Sequence, residues 1–341
     1  MVSNRLTRPG LALALTIGTI VPGTFALAAT TSGAPEAKPS RSAATVAATS
    51  TAVDLPLGSM YRVVDQIGAR ALWLRGIDGS GVNVAVIDTG VAPIKALTPQ
   101  VVAVVDLSAE AGIEEARFID TFGHGTHMAG IIAGATPGAD PAQAAAHPEW
   151  FLGVAPRAGI VSVKVADNSG AVDITQVIAG VDWVTDHAAE LNIKVLNLSY
   201  SSGSTLPAAT DPLAFAVERA WRSGIVVVVA AGNDGRRERR LSSPAIDPWV
   251  LSVAAAEATS ADKFTVPTWA TSGDNTRSPD LAAPGAHIDS LRAPLSRVDL
   301  EHPEGFVSDT LFRGSGSSQA AAVVSGAAAL LLDARPELTP D

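Results

Sequence analysis

Between Arg313 and Leu332 the chain reads Arg-Gly-Ser-Gly-Ser-Ser-Gln-Ala-Ala-Ala-Val-Val-Ser-Gly-Ala-Ala-Ala-Leu-Leu-Leu. The Ala/Leu run has strong helix propensity and almost no polar face, so it predicts a helix that lies inside the protein. The glycines in front of it mark a tight turn or a close approach of backbone to something else. A serine at the start of such a helix sits among N–H groups that lack intrahelical acceptors, at the positive end of the helix dipole. That position suits a nucleophile whose attack creates an oxyanion. It suits a helix cap as well. Ser318 therefore counts as a candidate nucleophile only if the rest of the chain supplies partners.

Apolar strand patterns alternate with helical ones along most of the chain. Residues 81–90 form a buried β-branched run that ends at Asp88, an odd place for a charge without a partner. Further strands are predicted over 101–107, 160–165, 195–199, 225–231, 250–254 and 288–291. Helices are predicted over 63–75, from the glycine-flanked segment 120–134, and over 174–191 and 212–223. Residues 135–151 read as an inserted loop with His147 on its surface. This alternation predicts a three-layer α/β/α domain around a mostly parallel, doubly wound sheet. In such sheets the chemistry sits at the carboxyl ends of the strands. Asp88, Ser199 and Asn233 fall there, while His124 and Ser318 open helices.

The N-terminus carries the marks of an export signal: Arg5 and Arg8, an apolar stretch from Leu11 to Val21, and Ala26-Leu27-Ala28 as a cleavage site. We expect a signal peptide over 1–28, a low-complexity linker or short pro-segment over 29–58, and one domain over 59–341. The product is then secreted, with no membrane attachment after signal cleavage. A formal charge of −10 argues against nucleic acid as a partner. With no cysteine, a secreted chain has no disulfide framework and no thiol nucleophile.

Asp88, His124 and Ser318 supply an acid, a base and a nucleophile in that order. In such a set the base takes the hydroxyl proton while the buried acid holds the imidazole's tautomer. Asn233 offers an amide N–H beside the backbone N–H of Ser318, a donor pair for an oxyanion. Competing readings are weaker. Asp88-Thr-Gly also resembles an aspartic-protease loop, but no second such tripeptide exists. His124 and His127 have metal-ligand spacing without a third ligand pattern. Ser318 lacks the G-x-S-x-G elbow of an α/β-hydrolase.

The segments Val-Ile-Asp88-Thr-Gly, Gly-His124-Gly-Thr-His-Met-Ala-Gly, Ala-Ala-Gly-Asn233-Asp-Gly, Pro279-Asp-Leu-Ala-Ala-Pro-Gly and Gly316-Ser-Ser318-Gln-Ala-Ala follow one another. Together they resemble the subtilisin-type serine proteases, the subtilases. The resemblance implies a serine endopeptidase acting on polypeptides as a monomer, with Asp88, His124 and Ser318 as triad and Asn233 with Ser318 N–H as oxyanion hole. It also implies a substrate strand lying between Ser199-Tyr200-Ser201 and Ala230-Ala231-Gly232, with Ser242 near the base of the pocket for the residue before the scissile bond. The chemistry requires no cofactor. Asp167-Asn-Ser-Gly170 is a candidate calcium loop or a plain turn, and no metal ligand is assigned.

The chain departs from the family pattern in four places. Gln319 and Ala322 stand where Met and Pro are usual in the serine motif, so tolerance of peroxide is expected. The segment before the domain is shorter than the family's folding pro-domain, and the domain stops short of a final helix. Tyr200-Ser201 replaces the common Leu-Gly, which predicts a narrowed pocket and a preference for small or medium apolar residues. Arg236-Arg-Glu-Arg-Arg240 reads as a solvated loop. A catalytically silent, subtilase-fold binding protein is the alternative reading.

Overall fold

The computed structural model describes residues 55–235 and 240–341. The expected signal peptide, residues 29–54 of the linker, and Arg236 to Arg239 of the basic cluster lie outside them. The chain enters through two short helices, α1 (Met60–Gln66) and α2 (Ala69–Trp73). A single helix over 63–75 was expected. Gly68 breaks it with φ of +75°, and the break lets Val63, Val64 and Trp73 all turn inward.

Next come β1 (Asn83–Asp88), β2 (Val101–Asp106), α3 (His124–Ala133), β3 (Gly159–Lys164), α4 (Ile174–His187), β4 (Ile193–Leu198), α5 (Pro212–Arg222) and β5 (Val226–Ala230). They are followed by β6 (Leu251–Ala258), β7 (Phe264–Thr265), β8 (Leu281–Pro284), β9 (Ile288–Leu291), α6 (Arg297–Glu301), β10 (Leu311–Gly314) and α7 (Ser317–Ala334). Among the described residues the main sheet has eight strands, in the order β2-β3-β1-β4-β5-β6-β7, with β8 also on β6. Its pairings are parallel except β6–β7, and β9–β10 form a separate antiparallel hairpin. The layers are the three expected: α3 and α7 pack together against one side of the sheet, α4 and α5 together against it elsewhere.

Strand chemistry follows position. Central β1 and β5 are buried almost throughout, as their Val/Ile runs require. Edge strand β2 buries neither Val102 nor Val104. The connection after β1 runs towards β3 and β2, and that after β4 runs towards β5. The two loops diverge and leave a crevice at the carboxyl ends of these neighbours.

Helix α7 is the axis of the molecule. It is long and apolar enough by length and composition to cross a membrane. Here most of it is covered by protein, with Ala320 to Val323, Ala329 and Leu330 buried against the sheet and α3 while Leu331 stays exposed. Its buried Ser325 hydroxyl donates to Asn197 Oδ1 at 3.0 Å, and Asn197 Nδ2 donates to Ser199 Oγ at 3.2 Å. That chain of bonds ties the helix to the end of β4. Gly316, ahead of the helix, has no room for a side chain: a Cβ there would lie 2.8 Å from Gln319 Oε1 and 3.3 Å from Asn233 Nδ2.

Candidate active site

Asp88 closes β1 with its carboxylate buried, and its partner is the first residue of α3. His124 Nδ1 lies 2.7 Å from Asp88 Oδ1 and 2.9 Å from Oδ2. In the neutral imidazole this puts the proton on Nδ1 and leaves Nε2 as a base. Burial by itself lowers the pKa of His124. The charge and hydrogen bond of Asp88, with Asp120 adding, outweigh burial and hold it above its ordinary 6.5. Helix α3 approaches β1 closely because Gly125 has no side chain; a Cβ there would sit 2.2 Å from Gly90 O.

A second polar layer lies beneath this pair. Asp88 Oδ1 accepts from Thr89 N at 2.8 Å, and Thr89 Oγ1 donates to Asp120 Oδ1 at 2.8 Å. Buried Asp120 also accepts from Phe122 N, Gly123 N, Thr126 N and Thr126 Oγ1, so it shapes the entire start of α3. Lys164, fully buried on β3, donates to Thr89 O and Ala166 O at 2.9 Å each and pairs with Glu110 at 3.0 Å. A buried charge persists only when paired and hydrogen-bonded, and Lys164 meets both conditions. Sequence reasoning missed Asp120, Thr89, Lys164 and Glu110. The signal was present for one of them, a lysine inside the apolar run Ile160-Val-Ser-Val-Lys-Val165.

The side of Ser318 is built differently. Strand β10 leads into α7 and is held to α3 by His127 Nε2, 3.1 Å from Phe312 O. Burial and the nearby His124 keep His127 neutral, its pKa lowered to about 4 even though the Phe312 and Ile288 carbonyls and Asp88 oppose this. Ser315 Oγ accepts from His287 N at 2.8 Å, and Ser317 Oγ accepts from Gly232 N at 3.1 Å. Asn233 Oδ1 accepts from Ser317 N at 2.8 Å. Its carbonyl oxygen is thereby fixed, and the amide Nδ2 is free to donate. Ser318 is half-buried in the first turn of α7, where N–H groups lack intrahelical acceptors. Its Oγ makes no hydrogen bond among the described residues.

The model of the subtilase family (Peptidase S8) matches residues 79–341. The chain belongs to the subtilase family. It is 33% identical over 276 residues to the serine protease AprX of Bacillus subtilis, covering 78% of this chain and 60% of that protein. It is 30% identical to subtilisin DY of Bacillus licheniformis, covering 80% of this chain and 84% of the relative. A crystal structure of a cold-adapted subtilisin-like serine proteinase superposes with a TM-score of 0.56 at 30% identity, covering 77% of this chain and 79% of that one. The chain thus spans about 60% of the length of AprX.

In this subtilase the expected groove residues come from three loops. Tyr200 and Ser201 leave β4 with main-chain groups that make no hydrogen bond among the described residues, an edge open to a further strand. Ser199 Oγ is held by Asn197. On the other side, Ala231 N is taken by Val253 O, and Gly232 turns away with φ of +113°. Ser201 Oγ and Ser242 Oγ are 2.5 Å apart, and Ser202 N to Ser243 O and Ser243 N to Ser204 O link the same two segments. The structure therefore joins Ser242 directly to the Ser199–Ser201 wall. The buried Tyr200 hydroxyl has no partner among the described residues, and burial, with the charge of Asp173, pushes its pKa up to about 12.

Gln319, where the family has methionine, is buried beside Gly314 and Gly316. Asp167 Oδ1 accepts from Ser169 N, Ser169 Oγ and Ala171 N, the pattern of a turn. Among the described residues no three His, Asp or Glu side chains gather as a metal site. His147 stacks on Trp150 at 3.8 Å and pairs with Glu149 at 2.9 Å.

Proposed function

We propose that this chain is a secreted serine endopeptidase that hydrolyses polypeptides through an acyl-enzyme. The observation that carries the reading is Asp88 gripping His124 Nδ1 through both carboxylate oxygens, in a subtilase whose Ser318 opens the helix packed against α3. Ser318 Oγ attacks the scissile carbonyl and gives its proton to His124 Nε2. His124 then hands that proton to the leaving amine and activates the water that releases the acid. Asp88 holds the ring and steadies its charged form. Asn233 Nδ2 and Ser318 N–H receive the developing oxyanion.

The chemistry runs on side chains and backbone of one copy, so the reading needs no cofactor and no second subunit. The substrate lies as a strand between Ser199-Tyr200-Ser201 and Ala230-Ala231-Gly232. The Ser201–Ser242 contact spans the pocket for the residue before the scissile bond, which favours small side chains there. Export rests on the N-terminal sequence pattern and agrees with a protease that acts outside the cell.

A silent scaffold is the rival, supported by the unbonded Ser318 hydroxyl and the altered serine motif. A fluorophosphonate probe separates the two. Labelling of the wild type and none of Ser318→Ala supports the peptidase; a folded wild type that takes no label overturns it.

A further inference from the structure

The connection between β9 and β10, residues 292–310, forms an arm laid against the segment 121–123 that leads into His124. Its Arg297 N donates to Thr121 O at 3.0 Å and its Val298 N to Phe122 O at 2.9 Å. Ser296 occupies the space over Gly123, the residue before His124: a Cβ on Gly123 would lie 2.5 Å from Ser296 Oγ and 3.4 Å from Val298 Cβ.

The arm is stiff inside. Arg292 grips half-buried Asp299 through Nε at 2.5 Å and Nη2 at 2.8 Å, and its Nη1 donates to Asp309 O at 3.2 Å. The Phe306 ring lies 5.0 Å from the Arg292 guanidinium. Asp299 Oδ2 also accepts from Leu295 N at 2.9 Å, so the same ion pair fixes the residue beside Ser296.

Leu295 is doubly misplaced for a structural residue. Its side chain is 78% exposed, and its backbone is left-handed with φ of +64°. Glycine or asparagine would take that turn without steric conflict. An unfavourable backbone held in place by its surroundings is a feature that gathers at functional sites.

We propose that Leu295 is a specificity-determining residue of the cleft, packing against an apolar side chain of the polypeptide substrate on the leaving-amine side. The side follows from the chemistry. His124 delivers its proton to the departing amine, so the departing segment runs along the His124 edge, where Ser296 and Leu295 stand. The acyl half lies across the crevice, along Tyr200 and Ser201. This inference rests on the peptidase reading.

Leu295→Gly tests it, because glycine accepts the left-handed backbone and keeps the N–H to Asp299. Peptides with Leu or Phe in the two positions after the scissile bond should lose about tenfold in kcat/KM, the worth of one buried aliphatic contact. Peptides with Gly in those positions, and a peptide methyl ester whose leaving group has no side chain, should stay within about twofold by the same reasoning. Leu295→Met should restore the apolar preference. Unchanged preference in Leu295→Gly, or an equal loss on all three substrates, overturns the proposal while fluorophosphonate labelling keeps the peptidase. A wild type that neither cleaves nor takes label overturns both.

Discussion

The two halves of the proposed catalytic centre are held by opposite means. Around Asp88 and His124 the work is done by buried side chains: Thr89, Asp120, Thr126, Lys164 and Glu110 form one connected polar body. Around Ser318 the contacts are mostly main chain. Gly232 N, Ser317 N and His287 N are each taken by a side-chain oxygen, and Gly316 brings the backbone against Asn233. The base must change charge during turnover, so its surroundings must be polar and already oriented. The nucleophile needs only to stand still and stay free, which close backbone packing achieves without binding the hydroxyl.

Asp88→Asn attacks the first half at its centre and should have the largest effect. An amide there cannot stabilise an imidazolium and can hold the ring in the wrong tautomer, a loss typically of about 10⁴-fold in kcat. The sign of the pH effect is fixed as well. His124 works as a base only when unprotonated, and its pKa lies above 6.5, so kcat/KM should rise with pH through a midpoint above 6.5. In Asp88→Asn only the charge of Asp120 is left to oppose burial, and the midpoint should move down. A midpoint that stays put would show that the Asp88 charge is not what holds the base.

Asn233→Ala probes the second half. Loss of one oxyanion donor typically costs about 10²–10³-fold in kcat, subtilisin included. Here it also orphans Ser317 N, so part of the loss should come from a displaced Ser318. Asn233→Asp distinguishes the two effects. It keeps an acceptor for Ser317 N but offers no donor to the oxyanion, so an activity as low as that of Asn233→Ala with a wild-type melting temperature would assign the loss to the donor. Full activity in either variant would remove Asn233 from the site.

The same contrast explains what the sequence made legible. Asp88, His124, Asn233 and Ser318 stand at or near the ends of strongly patterned elements, so their places could be read from strand and helix boundaries, while their roles came from the motifs shared with the subtilases. The sheet order could not be read that way, nor could β8 and β10. Leu281–Pro284 and Leu311–Gly314 are four residues each with no β-branched side chain, and their pairing depends on partners distant in sequence. Asp120 has no pattern around it and takes its meaning from five donors that fold around it. The arm over Gly123 was likewise unreadable, because only the tertiary structure shows that residues near 296 reach the start of α3. Gly68 is a local break signal masked by the helical spacing on both sides of it.

The smallest predicted effect concerns the wall, where the comparison becomes one of shape. Ser201 and Ser242 join two segments already tied by Ser202 N to Ser243 O and Ser243 N to Ser204 O. Removing both hydroxyls should therefore widen the pocket without releasing its walls. In Ser201→Gly/Ser242→Gly we expect kcat/KM for peptides with Phe before the scissile bond to rise about tenfold relative to Ala, the scale of one or two extra methylene-sized contacts. The two hydroxyls bond each other, and Ser201 Oγ also accepts from Gly203 N at 3.3 Å, an exposed N–H that water can satisfy, so deleting the pair together should cost little stability. A wild type that already prefers Phe, or a double variant with the wild-type profile, would show that the limit to the pocket lies elsewhere, with Tyr200 the first residue to test.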